Sequence, residues 1–277
     1  MAKQSSQFDY FKSQHIPELT VLQAALSDFS YDRHAHEEYA FGVTLAGRQD
    51  FFSGGQFHRS PPGNVIQFNP EEVHDGQPGG ESTLGYVMVY VPPTQLEALF
   101  ADAVGCERAG RFRSNEILIP DPALRSAILD LAHFVTGQVG SRIDQEHALY
   151  QMVTRLVQRA GKFQPGSTVS RPDALLLRAK DYILAHLEED MSLDAISQAA
   201  HLSKYHFLRL FRQQFGITPH QYVLNCRINA ARNALEAGVV PNEVAFRYGF
   251  VDLSHFNRRF KRIYGMTPYQ YQRSVTN

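Results

Sequence analysis

Four groups in the first third of the chain have the chemistry to hold a ligand. His34, His36 and Glu38 lie in the run His34-Ala35-His36-Glu37-Glu38, and His74 follows in PPGNVIQFNPEEVHDG. Alternate residues of an extended strand share a face, so positions 34, 36 and 38 turn two imidazoles and a carboxylate the same way. Such groups can hydrogen-bond a polar molecule or hold a divalent metal ion. Farther on, LGYVMVYV puts Leu84, Tyr86, Met88 and Tyr90 on one strand face, amphipathic material suited to a small-molecule pocket. A second kind of chemistry is written twice in the last third. HFLRLFRQQFGITPHQY begins at His206 and HFNRRFKRIYGMTPYQY at His255, 49 residues later, with aromatic, basic, Gly and Thr-Pro positions in register. A duplication is the economical explanation.

The elements that must position these groups follow from periodicity. Residues 20–120 read as β: short apolar or alternating runs are cut by GG, PPG, NP and PGG turn signals. Many short, closely spaced strands favour a barrel or sandwich, with Gly42 and Thr44 inside and Phe41, Val43 and Leu45 packed outward. From 121 the period changes. DPALRSAILDLAHFV keeps Leu124, Ile128, Leu131 and Val135 on one helical face, and Ile143, His147, Tyr150, Val153 and Leu156 repeat the pattern. These two amphipathic helices are expected to cover the barrel and offer a stripe to a partner. GKFQPGSTVSRP, 161–172, has the composition of a linker. Beyond it every segment reads as helix, with Ser192 as an N-cap, Thr218-Pro219 and Thr267-Pro268 as helix starts, and Gly238 as a stop.

Bulk properties exclude several classes. At 277 residues the chain can build two domains. The N-terminus lacks an apolar secretory core and no apolar run could span a bilayer, so a cytoplasmic protein without membrane contact is expected. Cys106 and Cys226 are too few for a disulfide framework or a four-thiolate zinc site. No G-x-S-x-G, Walker-type GK[ST] or C-x-x-C run occurs, so no enzymatic constellation stands out. The net charge of −1 hides a split: residues 171–277 carry 14 Lys and Arg against 9 Asp and Glu, and the remainder is acidic. A basic C-terminal part on an acidic N-terminal part suggests that only the former meets a polyanion.

Each copy of the repeated phrase closes a helix-turn-helix, about 193–215 and 241–264. On the second helix of the first unit Phe207, Phe211 and Phe215 fall on the buried side, with Tyr205, Leu208, Arg209 and Arg212 opposite. In the second unit Phe256, Phe260 and Tyr264 are inward, and Ser254, Asn257, Arg258 and Lys261 outward. A core stripe fixes the pose of a groove-reading helix, and outward Arg and Asn pair bidentately with guanine and adenine edges. An Arg-rich helix face is often only solvated surface; its paired occurrence favours DNA. A helix from 219 to 237 spans roughly 27 Å at 1.5 Å per residue, which with its flanking units suits two readers near the ~34 Å repeat of the major groove.

On these residues the region from about 174 to 274 resembles the DNA-binding domain of AraC/XylS-type transcriptional regulators, the matching stretches being LSKYHFLRLFRQQFGITPHQY and VAFRYGFVDLSHFNRRFKRIYGMTPYQY. His201 stands where the family's first turn often has Gly, and Leu253 where a polar residue is common. The resemblance implies base contacts from Tyr205, Leu208, Arg209, Leu253, Ser254, Asn257 and Arg258. Lys204, Arg212 and Lys261 are assigned to phosphates.

Residues 30–92 resemble the cupin-like sensory barrel fused to many such regulators, and His34, His36 and His74 match the cupin histidine positions. The Glu that usually follows the second His by four or five residues in metal-bearing cupins is replaced by Ala40 and Phe41. Three readings compete: a metal-free effector pocket, a metal-dependent cupin enzyme fused to DNA-binding units, and histidines on an exposed strand end without a role. The first is favoured, with His34, His36, Glu38, His74, Tyr86 and Met88 binding a small polar effector, no metal and no cofactor. His58, His133, His147 and His220 are left without partners. The expected protein is an α+β multidomain chain: a cupin-like β-barrel with two amphipathic helices at 1–160 for effector sensing and dimerisation, a linker at 161–172, and an all-α double helix-turn-helix domain at 173–277. It is not an enzyme but a sequence-specific regulator and activator. Its expected partners are double-stranded DNA, a small-molecule effector, RNA polymerase and a second copy of itself.

Overall fold

The computed structural model describes residues 5–104, 112–137, 139, 141–160 and 174–276, with backbone alone for 101–104, 160 and 205. The chain divides into two compact units, one of residues 1–31 and 35–167, the other of residues 32–34 and 168–277. The linker expected at 161–172 and Cys106 lie outside the described residues.

The strands among the described residues are β1 (Gln7–Lys12), β2 (Thr20–Leu26), β3 (Tyr31–His34), β4 (Tyr39–Ala46), β5 (Gln49–Ser53), β6 (Gln56–Ser60), β7 (Val65–Phe68), β8 (His74–Pro78), β9 (Leu84–Val91) and β10 (Leu118–Ile119). They form a six-stranded sheet, β1-β2-β9-β4-β7-β10, and a four-stranded sheet, β3-β8-β5-β6. Gly54 and Gly55, both at positive φ (58° and 79°), make the two-residue turn between β5 and β6. A primed turn needs that left-handed backbone at both positions, which glycine adopts without steric penalty.

The period-two pattern sorts the larger sheet into two faces. Val21, Phe41, Val43, Val65, Val87 and Val89 turn outward into one apolar core with three helices. These are α1 (Pro93–Val104), α2 (Pro122–Thr136) and α3 (Arg142–Ala160). The opposite face carries Leu22, Ala24, Gly42, Thr44, Tyr86, Met88 and Tyr90, held level by the registers Leu22↔Met88, Gly42↔Met88 and Thr44↔Tyr86. The packing is tight at Gly42, where an added Cβ would sit 2.7 Å from the Met88 terminal methyl and 3.2 Å from the Val87 carbonyl oxygen, so Met88 would have to move. Leu45 points outward as expected but remains 52% exposed rather than packed.

The sequence reading needs two corrections in this region. Residues 93–104 are helix, not strand: Leu96 and Phe100, one turn apart, are both buried against the outer sheet face. The α3 stripe is also rotated. Gln145, Ala148, Leu149, Met152, Val153 and Leu156 are its buried side, whereas Ile143 and Tyr150 are 72% and 42% exposed and His147 is exposed as well. The buried set keeps the 3.6-residue period and includes the expected Val153 and Leu156, whereas Ile143, His147 and Tyr150 fall nearly on the opposite side of the helix. On α2 the expected residues Leu124, Ile128, Leu131 and Val135 are all buried. Asp121 caps that helix, accepting from the Ala123 and Leu124 amides at 3.0 Å, with Pro122 at the first position.

The second unit contains α4 (Ala174–Ala185), α5 (Leu193–Ala199), α6 (Lys204–Phe215), α7 (Pro219–Glu236), α8 (Pro241–Arg247), α9 (Leu253–Tyr264) and α10 (Pro268–Thr276). The duplication is visible atom by atom. Ser192 caps α5 through the Ala195 amide. Gly216 and Gly265 end α6 and α9 in the left-handed conformation. Thr218 and Gln221 bond each other's backbone at the start of α7, and Thr267 and Gln270 do the same at α10. Each capping box satisfies two amides that the helix leaves unpaired. Phe211 meets Tyr222 edge-on at 5.4 Å, and Phe260 meets Tyr271 at 5.5 Å. Among the described residues no helix is long and apolar enough to cross a membrane.

Candidate functional site

Two surfaces carry chemistry, and the first is the outer face of α6 and α9. Phe207, Phe211, Phe256 and Phe260 are completely buried and Tyr264 nearly so, while Phe215 is half-buried against Phe211 and Tyr222. That anchoring leaves Leu208, Arg209 and Arg212 exposed on α6, and Leu253, Ser254, Arg258 and Lys261 exposed on α9, with Asn257 half-buried beside them. The Tyr205 side chain lies outside the described residues. Neither helix contains an acidic residue of its own. Lys204 at the α6 start pairs with Asp194 at 2.6 Å. Both groups are about half exposed and such pairs contribute only about 0–1 kcal/mol, so a phosphate can displace the carboxylate.

The turns before α6 and α9 differ. His201 takes the left-handed conformation in the first (φ 52°), the role Gly249 fills in the second (φ 69°). An L-residue there is strained by roughly 1–2 kcal/mol. Behind the turns, Arg227 of α7 donates to the Leu187 and Glu189 carbonyls at 3.0 and 2.5 Å. A Cβ on Gly249 would lie 2.9 Å from its guanidinium. Arg247 of α8 pairs with Glu188 at 2.7 Å. Sequence reasoning missed this clasp, because no local pattern reports a side chain bonding to carbonyls about forty residues away.

The second is a buried histidine cluster. His34 at the end of β3, His36 just after it and His74 at the start of β8 are 4%, 6% and 5% exposed. One ring nitrogen from each lies within 4.8 Å of the others. The structure therefore brings the three histidines together and does not leave them on an exposed strand end. Regular strand ends at His34, yet burial keeps the expected alternation: 34, 36 and 38 are buried while 33, 35 and 37 are not, although Glu38 is not among the groups whose ligand atoms converge. His34 and His74 each donate Nδ1–H to a carbonyl two residues earlier, Asp32 at 2.6 Å and Glu72 at 2.7 Å. Burial pushes the His74 imidazole down to about 4 despite that bond, so it is neutral at pH 7.

Aromatic groups wall the cluster. Phe68 stacks on His74 at 3.8 Å, and Tyr90 meets His36 edge-on at 5.0 Å. The Tyr31 and Tyr86 hydroxyls share a hydrogen bond of 2.6 Å, and burial raises the titration of both. Met88 shares the face of Tyr86 and Tyr90. The period-two run signalled Tyr90; nothing in the sequence signalled Phe68 or Tyr31. His58 does have partners, stacking on Phe51 and bonding the Ser53 carbonyl. His147 bonds Gln151 and His133 lies against Phe134.

A β-rich unit with a buried polar cluster, followed by two helix-turn-helix elements, defines the class: a DNA-binding transcriptional regulator. Family comparison agrees. The AraC-like ligand binding domain matches residues 16–153 and a helix-turn-helix domain matches residues 196–274. The chain belongs to the AraC-type transcriptional regulators. It is 29% identical over 224 residues to the HTH-type transcriptional regulator YbfI of Bacillus subtilis, covering 81% of this chain and 80% of that one. It is 26% identical to the XylDLEGF operon transcriptional activator of Pseudomonas putida, covering 78% and 68%. Among solved structures, ToxT of Vibrio cholerae bound to (E)-4-(8-methylnaphthalen-1-yl)but-3-enoic acid shares the fold, with a TM-score of 0.61, 12% identity and coverage of 98% and 99%.

Proposed function

We propose that this regulator activates transcription by reading DNA with α6 and α9, under the control of a small polar molecule bound in the β-rich unit. Leu208 and Arg209, with Tyr205, contact bases in one major groove; Leu253, Ser254, Asn257 and Arg258 contact bases in the next; Lys204, Arg212 and Lys261 hold phosphates. The effector binds against His34, His36, His74, Tyr86 and Met88, with Glu38 nearby. Its differential affinity for two states of the chain shifts DNA binding. RNA polymerase is the downstream partner, a second copy docks on α2 and α3, and the protein works in the cytoplasm without catalysing a reaction. Curated relatives that are transcriptional activators support activation over repression.

One observation carries the DNA reading: two helices share the same buried aromatic stripe, the same left-handed glycine at the C-terminus and a sequence free of acidic residues. The test is binding of Arg209→Ala and Arg258→Ala to a library of operator variants. Each substitution is expected to remove about 1–3 kcal/mol of discrimination at a single base position. Uniform weakening across all sequences would remove the base-reading role.

A further inference from the structure

We infer that the groove between α1, α3 and the loop joining β1 to β2 is a further ligand site, built for an uncharged, ring-bearing small molecule with a carbonyl or hydroxyl group. It is separate from the histidine cluster, and the effector reading does not depend on it.

The groove is concave and its walls are held in place. Its volume is about 550 Å³, within the roughly 300–1,000 Å³ of small-molecule sites. Ile16 and Leu149, each 3% exposed, and the partly buried Leu99 give it an apolar lining. Ser13 pins the loop: its hydroxyl donates to the Gln145 side chain of α3 at 2.7 Å and accepts the His15 and Ile16 amides at 3.1 and 2.8 Å. Gln145 is itself buried. A wall tied down in this way is preorganised, so little ordering entropy opposes binding.

The rim carries apolar surface that the packing of α3 does not use. Ile143 and Tyr150 both line the groove and are both exposed. Exposed apolar groups gathered around a concavity mark a binding site, whereas scattered ones do not. Tyr150, His15 and His147 supply ring faces and edges, which favour a planar ring over a flexible chain.

Charge selects a neutral occupant. Arg142 and Glu146 of the lining bond each other at 2.7 Å. An anion drawn to the guanidinium also meets the carboxylate, and a cation meets the reverse, so the two contributions largely cancel. Hydrogen bonding remains. Gln151 Nε2 can only donate, so His147 Nε2 accepts it at 2.8 Å and Nδ1 carries the ring proton. Gln95 and Tyr150 add groups that both donate and accept. Such groups can meet a carbonyl or hydroxyl oxygen without the desolvation cost that an ion incurs.

The test uses the intact chain and benzophenone, a neutral diaryl ketone that inserts into nearby C–H bonds when irradiated. Mass spectrometry should place the label on peptides carrying Leu99 and the segment from Ile143 to Tyr150. Excess 2-acetylnaphthalene should suppress it, while 2-naphthoate and 2-naphthylmethylamine should need about tenfold higher concentration. Ile143→Glu and Tyr150→Ala, both at exposed positions, should each lower labelling about tenfold through lost apolar contact, with circular dichroism unchanged. Label confined to the strands around the histidine cluster, or label that no competitor suppresses, overturns the site. Equal suppression by the naphthoate or the amine overturns the neutral class. Absence of label also overturns the site; if Ile143→Glu then turns a dimer into a monomer in sedimentation, the occupant of the groove is a second copy.

Discussion

At the level of single residues, Asp121 shows how one carboxylate can serve two elements. Its side chain is 1% exposed, caps α2 through two amides, and receives Arg155 Nε at 2.9 Å and Arg159 at 3.4 Å from α3. Burial alone would raise its titration, but the Leu124 amide, the Arg155 guanidinium and the Ala123 amide together outweigh burial and hold it below the usual carboxylate range. The sign follows directly. A depressed folded value means that ionised Asp121 stabilises the fold above its unfolded value near about 3.9, and that this is lost as pH falls through the folded value. Asp121→Asn keeps a capping oxygen but removes the charge opposite two arginines; Asp121→Ala removes both. Denaturant titration at pH 7 should place Ala lowest, with about 1–2 kcal/mol attributable to the cap, and Asn between it and wild type. The gap between wild type and Asn should close as pH drops below about 4. A gap that widened there would mean that the charge does not stabilise the fold.

Among the elements, those of the second unit were the most legible in sequence because several of their ends carry cap residues. Ser192, Thr218, Gly216, Gly265 and Thr267 mark helix ends by local chemistry that tertiary context had no reason to override. Where the marks were weak the reading slipped. α1 was hidden in a stretch read as β, and the buried stripe of α3 was set wrongly because Ile143 and Tyr150 are apolar yet exposed. The histidine cluster was half legible: spacing put His34, His36 and Glu38 on one buried face, but the approach of His74 from β8 is a tertiary fact that local spacing does not report. The clasp around Arg227 was not legible at all. It ties the turn at 187–190 to α7 and lies against Gly249, behind the second reader. Arg227→Met keeps much of the apolar stem and removes the charge-assisted bonds to two carbonyls, each worth about 1.5–3 kcal/mol. Hydrogen exchange should accelerate in the segment around 187–190 and at the turn before α9, with DNA affinity reduced and base preference kept. Unchanged exchange would reduce Arg227 to a surface contact.

For the molecule as a whole, charge is segregated rather than abundant. The chain carries a net −1, yet residues 171–277 hold 14 basic against 9 acidic groups. Attraction to DNA therefore comes from where cations are placed, not from bulk charge, and salt is the probe that counts them. Each phosphate neutralised releases condensed counterions, so the slope of log affinity against log salt changes by about 0.9 per contact. Arg212 and Lys261 occupy corresponding positions of the two repeats, exposed near the ends of α6 and α9. Arg212→Gln and Lys261→Gln should each flatten the slope by about 0.9 per bound chain, and the double variant by about 1.8. Neither should alter which bases are preferred, since phosphate contacts set position and base edges set sequence. Arg209→Ala should do the opposite at moderate salt, changing preference with a smaller effect on slope. If Lys261→Gln flattened the slope and Arg212→Gln did not, α9 alone would be engaged on the duplex, and the two repeats would not be equivalent readers.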